Sequence, residues 1–306
     1  CVGDCGECAS CNVTALSMNK IKILQSGIYR NLKDSKIVKG MRKKHRDSYL
    51  SEESAENLEN KVSTRTQNDY RNLRQYYNSL LDCMDVIHYN STITKQVYEE
   101  YLELDHIKTE VIPISHADIK DCRKKKEFYR KNDNTLRLTY LGPASGAKGY
   151  FLLKEGLDKL WDDVMDNKGF DWNTFSLQVF FEPKEKTPYL KTGERYSYSQ
   201  LEGIFDETDV LLVPSIWYET FGYTVLEALS YATPVIISGT VGAKDILNDG
   251  IGIVIENISA DKIAETIKNL TKEDCSKMNA NILSMDSIME IKDMSKLICD
   301  KCYLIY

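Results

Sequence analysis

The sequence has no run approaching the ~20 consecutive apolar residues that a membrane-spanning helix requires. Its start, Cys1-Val2-Gly3-Asp4, has neither the basic nor the apolar part of a signal peptide. Any membrane role is therefore expected to be peripheral. Positive charge is not in excess either: 40 Lys and Arg stand against 46 Asp and Glu, and the formal net charge of −6 argues against a nucleic-acid partner. The charge is uneven, with 23 basic and 20 acidic side chains in residues 1–134 and 17 and 26 in residues 135–306. Missing, too, is the dispersed, even-numbered cysteine pattern of a secreted disulfide framework, because six of the nine cysteines lie in two tight clusters. A reducing cytoplasm suits that usage. What is present is globular: 306 residues, 42% hydrophobic and 28% charged, too apolar for a wholly disordered chain and long enough for two cores.

Residues 20–85 contain no proline and only weak apolar periodicity, and Leu58 to Leu81 reads as one or two surface helices. The stretch Asp85-Val86-Ile87-His88-Tyr89-Asn90-Ser91 is a short apolar run closed by Ser91, an N-cap for a helix from about Thr92 to Leu102. Val111-Ile112-Pro113-Ile114 reads as a second short strand, and the charged stretch Asp121 to Asn134 as a linker. A domain boundary is placed there. Beyond it the pattern is regular. A strand from Leu136 ends in a small-residue loop at Gly142, and a helix follows with Leu153, Leu157, Leu160 and Val164 on one face. Next come a strand (Phe175 to Phe181), a long loop, a helix (Tyr198 to Phe205), a strand (Val210 to Val213), a helix (Thr224 to Tyr231) and a strand (Val235 to Ile237). A helix from about Lys244, a strand (Gly252 to Ile255) and helices from Ala260 to the end complete the series. Strands alternating with helices predict an α/β chain whose parallel sheet is covered on both faces.

In such sheets ligands bind beyond the carboxyl ends of the strands, where loops enter helix N-termini. The richest such segment is Val213-Pro214-Ser215-Ile216-Trp217-Tyr218-Glu219-Thr220-Phe221-Gly222-Tyr223-Thr224-Val225-Leu226-Glu227. Gly222 opens a helix whose free amides around Tyr223, Thr224 and Val225 suit a diphosphate. Glu227, one turn inside, can accept two hydroxyls of a ribose, and Glu219 can hold the hydroxyls of a transferred sugar. The loop Gly142-Pro143-Ala144-Ser145-Gly146-Ala147-Lys148-Gly149 adds Lys148 as a point charge for the same diphosphate.

From Leu136 to about Ile255 the sequence resembles the donor-binding domain of glycosyltransferase family four, retaining enzymes of the GT-B fold that use nucleotide sugars. The resemblance rests on a Glu, seven residues, Glu motif in a Pro-Ser…Trp-x-Glu-x-Phe-Gly context, followed by Glu227-Ala228 and Pro234-Val235. Asp85 to Ile119 resembles the family more loosely. It implies a Rossmann-like donor domain over 135–285, a partial acceptor-side domain over 1–134, and a C-terminal helix over 286–306 returning toward the first domain. It also implies metal-independent transfer of a sugar from a UDP- or GDP-sugar to a saccharide or lipid-linked acceptor, in surface polysaccharide or glycolipid synthesis. Carried over by position, Glu219 contacts the donor sugar as the catalytic residue, and Phe221 to Val225 line the sugar and phosphates. Glu227 takes the ribose, and Lys148 with the Gly142 loop takes the leaving diphosphate. Three positions depart from the family: Pro143 where an arginine is usual, Asp245 for Glu, and Ala232 for Gly. The first domain is expected to be N-terminally truncated, leaving a chain that binds donor and transfers nothing. A catalytically silent nucleotide-binding or scaffold protein is the alternative.

Trp217 and Tyr218 are expected to pack beside the site and His88 to be structural; His116, which follows the strand leading to the crossover, is read as structural, with a position facing the cleft as the alternative. Cys1, Cys5, Cys8 and Cys11 have spacings that match parts of iron–sulfur motifs but lack the rest of them. A structural zinc is the better fit, with Cys299 and Cys302 as a second pair, set against ordinary free thiols. The basic run Lys39-Gly40-Met41-Arg42-Lys43-Lys44-His45-Arg46 is read as a solvated helix face, or as a contact with anionic lipid at the inner face of a membrane.

Overall fold

A computed structural model describes residues 66–303 apart from 132, 167, 168, 248 and 249. These fall into two compact units, one holding 66–85 and 99–107, the other 86–98 and 108–303. The first unit contains helix α1 (Gln67–Leu81). It begins where Thr66 and Asp69 cap one another, the Thr66 N–H donating to Asp69 Oδ2 at 2.7 Å.

The second unit begins with a parallel pair, β1 (Val86–Tyr89) and β2 (Lys108–Val111), with most of helix α2 (Thr92–Tyr101) following β1. Ser91 caps α2 as the sequence suggests, its Oγ accepting the Thr94 N–H at 3.2 Å. The expected strand at 111–114 lies earlier in the chain. Ile112 donates one more bond, to Tyr89 O at 2.9 Å, and Pro113 then has no N–H with which to continue the ladder. His88 Nε2 bonds Ile112 O at 2.7 Å, holding the pair together.

The main sheet has six strands: β3 (Thr135–Tyr140), β4 (Thr174–Val179), β5 (Leu190–Thr192), β6 (Val210–Val213), β7 (Val235–Ser238) and β8 (Gly252–Ile255). Their order is β5-β4-β3-β6-β7-β8 and every neighbouring pair is parallel. Helices α3 (Tyr150–Met165), α4 (Leu201–Asp206), α5 (Tyr223–Ser230), α6 (Ala260–Lys268), α7 (Lys272–Ser284) and α8 (Ile291–Ile298) complete the unit, with a last π-helical turn at Cys299–Tyr303. Alternate strand residues feed two cores. Leu136, Leu138, Leu212 and Ile236 meet Leu153, Leu157, Leu160 and Val164 of α3 on one face. Leu211, Val213, Val235 and Ile237 meet Leu201, Phe205, Val225 and Leu229 on the other. Burial of each such leucine is worth about 1.5–3 kcal/mol, which is what holds helices to both sides of the sheet.

Three further features differ from expectation. Strand β5 is an edge strand of three residues with two exposed side chains, so it leaves no apolar run to read. The helix expected from Lys244 is a short 3-10 segment, Gly242–Ile246. The stretch Asp121 to Asn134, expected as a linker, is bound to the surface of this unit. Arg123 donates to Ile282 O and Met285 O, Phe128 is buried, and Arg130 grips Asp209 through two 2.9 Å bonds. Lys126 donates to Phe205 O and Thr208 O, and burial pushes its ammonium down to about 8.

Candidate functional site

The strand order puts β3 and β6 side by side where the chain winds off in opposite directions, the place at which an open α/β sheet leaves a crevice at its carboxyl edge. The two loops that leave this point are the two singled out from sequence, and they touch. Backbone N–H groups of Ile216 and Trp217 both donate to Ala147 O, at 3.0 and 3.1 Å. Gly149, the N-cap of α3, has φ +75°, and a Cβ there would lie 1.7 Å from Pro214 O, so only glycine closes this junction. Tyr140 OH donates to Pro143 O at 2.9 Å and folds the first loop back on its own strand. Gly142 lies against that ring, where a Cβ would come within 2.4 Å of the phenol oxygen.

Across this junction Lys148 Nζ meets Glu219 Oε1 at 2.6 Å. The lysine is 41% exposed and the glutamate 20%. The second oxygen, Glu219 Oε2, is buried without a hydrogen-bond partner among the described residues. Behind the carboxylate the backbone is fixed: Glu219 N donates to Thr240 O at 2.9 Å and Gly242 N to Glu219 O at 2.8 Å. Thr220 O accepts from Ser91 Oγ at 2.6 Å and from Thr94 Oγ1 at 3.1 Å.

Gly222 then caps α5 at φ +104° with no side-chain cap, so the first amides of the helix are left for a ligand. Of the three amides expected to be free, that of Val225 is not: it donates to Gly222 O at 3.0 Å. This tight first turn leaves Tyr223 and Thr224. The side chains of Phe221 and Val225 are buried in the core beneath, so any contact from them to a ligand would come from backbone.

Glu227, one turn along α5, is 4% exposed. Burial, with a smaller push from the Asp118 carboxylate, raises its pKa from 4.5 to about 7. His116 Nε2 stands 3.5 Å from Glu227 Oε1 without forming a hydrogen bond. The His116 ring lies 5.2 Å from that of Tyr198 and 5.0 Å from that of Tyr223, edge-on to the latter. Tyr223 in turn meets Phe221. Lys148, Glu219, the start of α5, His116 and Glu227 are therefore joined by a continuous chain of contacts.

Some expectations are corrected here, and the departures from the family are located. His116 faces Glu227, the alternative to the structural reading favoured from sequence; a lone histidine in a loop carries no periodic or motif signal, and its spacing from α5 is fixed only by the fold. Trp217 and Tyr218 do not pack beside the site but are 71% and 58% exposed. Asp245 does not reach the crevice; its Oδ2 accepts the first N–H of α2, from Thr92. Ala232, standing for glycine, takes φ +53°, a left-handed conformation that costs an alanine about 1 kcal/mol. Cys1, Cys5, Cys8, Cys11 and the basic run from Lys39 to Arg46 lie outside the described residues. Cys299 and Cys302 lie in the last turn, and among the described residues no three His, Cys, Asp or Glu side chains gather as a metal site would need. No helix among them is long and apolar enough to cross a membrane. A separate groove of about 620 Å³, lined by Arg137, Gln178, Phe180, Lys191 and Glu207 among others, shares no residue with the crevice.

Residues 190–283 match the model of the family described as glycosyl transferases group 1. The match runs from β5 to the end of α7 and includes Glu219 and Glu227. A curated protein of Klebsiella pneumoniae, described as an uncharacterized 41.2 kDa protein in the cps region, is 27% identical over 190 residues, 57% of this chain and 51% of its own length. The chain thus spans about half of that relative. Among solved structures, a glycosyltransferase from Rickettsia africae ESF-5 superposes with a TM-score of 0.55 at 18% identity, covering 75% of this chain and 65% of its own. The Anabaena protein Alr3699/HepE, solved in complex with UDP and glucose, gives 0.55 at 15% identity, covering 75% and 66%. The shared feature is the α/β fold with its six-stranded parallel sheet, of the GT-B type.

Proposed function

We propose that the crevice at the carboxyl ends of β3 and β6 binds a nucleotide sugar, and that the chain contributes the donor side of a retaining glycosyltransferase that needs no metal. The observation that carries this reading is the 2.6 Å pairing of Lys148 with Glu219 across the two loops, beside the uncapped start of α5 and the buried Glu227. Each group matches one part of such a ligand. The amides of Tyr223 and Thr224 and the Lys148 ammonium suit a diphosphate, and Glu227 suits a ribose diol. Glu219, with one oxygen left unpaired, suits sugar hydroxyls.

Breaking the bond to the sugar leaves a nucleoside diphosphate with growing negative charge. Cationic and amide donors placed beside it lower that barrier. In the free protein Lys148 is held by Glu219. A diphosphate carries more negative charge than one carboxylate and competes for the lysine, which releases Glu219 toward the sugar at the same moment. The match to glycosyl transferases group 1 supports this class of reaction, and the UDP and glucose in the Anabaena structure support the class of donor. The location of the Klebsiella relative in a cps region supports a role in surface polysaccharide synthesis.

The test is a thermal-shift panel of UDP, GDP, ADP and their sugars on the wild-type chain and on Glu227→Ala. The reading expects one nucleotide to raise the melting temperature of the wild type and none to raise that of the variant. A stabilising nucleotide that works equally well on both removes Glu227 from the site. Incubating that nucleotide's sugar with saccharide acceptors then tests transfer, and nucleotide binding with no transfer to any acceptor favours a silent binding protein.

A further inference from the structure

The crevice contains two buried polar groups that satisfy one another poorly. His116 Nε2 is buried without a hydrogen-bond partner among the described residues, and it stands 3.5 Å from Oε1 of Glu227, a residue only 4% exposed. Leaving a buried donor unpaired costs about 1–3 kcal/mol, so its persistence in a well-packed site points to a ligand that completes it.

The histidine is also held in place. Its loop is fastened on both sides, by Ser115 N–H donating to Met294 Sδ at 3.2 Å and by Ile119, whose N–H donates to His116 O at 3.1 Å and whose side chain is buried. The Asp118 N–H donates to Nδ1 at 3.3 Å, and the Asp118 carboxylate stands 3.7 Å from the same atom. With Nδ1 accepting, the ring proton of the neutral imidazole is on Nε2, the nitrogen toward Glu227. Tyr198 and Tyr223 flank the ring and are themselves about half exposed, so the pair opens to solvent beside the rings.

We propose that His116 is a second ribose-binding residue of this site: its Nε2–H donates to one of the two ribose hydroxyl oxygens while Glu227 accepts the protons of both. The pair would then read a vicinal diol as a unit, one hydroxyl engaged as donor and acceptor at once and the other as donor only. This rests on the nucleotide-sugar reading given above and deepens it.

The experiment measures affinity by calorimetry for UDP, GDP and ADP, and then for the 2′-deoxy and 3′-deoxy forms of whichever binds tightest. The proteins are the wild type, His116→Phe, His116→Gln and Glu227→Gln. Phenylalanine keeps the aromatic contact with Tyr198 and Tyr223 but has no donor; glutamine keeps an N–H donor. The expected result is a loss of about fivefold to tenfold for His116→Phe with the ribonucleotide, in the range of one hydrogen bond, and recovery of most of it in His116→Gln. The loss should also vanish with one of the two deoxy forms and persist with the other, because only one hydroxyl faces Nε2. A general loosening of the fold would weaken all three ligands alike and lower the melting temperature without ligand. Equal affinity of wild type and His116→Phe, or a loss of the same factor with the ribonucleotide and both deoxy forms, overturns the proposal while leaving the nucleotide reading intact. If no nucleoside diphosphate binds the wild type, or Glu227→Gln binds as well as the wild type, both readings fall together.

Discussion

Replacing Glu227 by glutamine keeps the shape of the side chain and removes its charge, and the structure gives that change a size and a sign. The carboxyl group has its pKa raised from 4.5 to about 7, chiefly because it is buried and secondarily because Asp118 is near; His116, Tyr196, Tyr198 and Tyr223 are the other titratable groups around it. Between pH 4.5 and 7 the folded protein therefore holds a proton that the unfolded chain has already lost. Stability falls as pH rises through that window. Above pH 7 the ionised carboxylate costs at most about 3.5 kcal/mol, at about 1.4 kcal/mol for each pH unit of difference. Glu227→Gln removes that cost, so the variant should be more stable than the wild type at pH 8 and equal to it at pH 4. At roughly 2–4 °C for each kcal/mol in a folded unit of this size, the gain is up to about 14 °C. The same variant should lose nucleotide binding. Melting curves at pH 4, 6 and 8, with and without a nucleoside diphosphate, measure both. A variant that is no more stable at pH 8, or whose advantage does not grow with pH, would show that the carboxylate is not held at a cost.

Three other perturbations follow from the same coordinates. Lys148→Ala removes a half-exposed ion pair and should change stability by under about 1 kcal/mol, yet weaken nucleoside diphosphate binding about tenfold or more by calorimetry. An equal affinity would take Lys148 out of the site. Gly149→Ala must place a Cβ 1.7 Å from Pro214 O at φ +75°, and should cost several kcal/mol, about 3 or more, in chemical denaturation; a loss under about 1 kcal/mol would mean that the loops do not meet as described. Asp209→Asn leaves Arg130 and Arg137 without the 1%-exposed carboxylate that both grip at 2.9 Å, and should destabilise by about 3–5 kcal/mol in the same assay, with no effect expected on the crevice itself.

Much of the sheet could be read from sequence because its strands are buried on both faces. Val210–Val213 and Val235–Ser238 are almost wholly apolar, and Gly252–Ile255 follows the same pattern. Elements with weaker burial were lost. Strand β5 is three residues at an edge, the turn after β7 makes only a 3-10 segment, and Asp121 to Asn134 hides its anchoring because it is held by arginine and lysine bonds to backbone carbonyls, which composition reads as solvation. The crevice was legible where chemistry and spacing coincide, at Glu219, Gly222, Glu227 and Lys148. His116 was legible only as an alternative, since it comes from a loop more than 100 residues away and is brought to Glu227 by the packing of Ser115 against α8. Trp217 and Tyr218 misled in the opposite sense: large aromatic side chains suggest packing, but a loop whose backbone is fixed through Ala147 O can hold them outward.

The two partners of the Lys148–Glu219 pair differ in what it takes to move them, and this difference gives the site a direction. Glu219 belongs to a segment gripped from three sides: by Thr240 and Gly242 beside it, by Ala243 N–H on Phe221 O at 2.6 Å, and by Ser91 and Thr94 on Thr220 O. Asp245 strengthens the third grip, because by capping the first N–H of α2 it ties that helix to the same 3-10 segment that holds Glu219. Lys148 has no such support beyond its backbone, and its ammonium is carried on a flexible four-carbon chain. On the nucleotide-sugar reading, an arriving diphosphate would therefore meet one group that is already placed and one that is free to turn. Rearranging the pair costs a single lysine side chain its carboxylate partner, while the carboxylate stays where a sugar would need it.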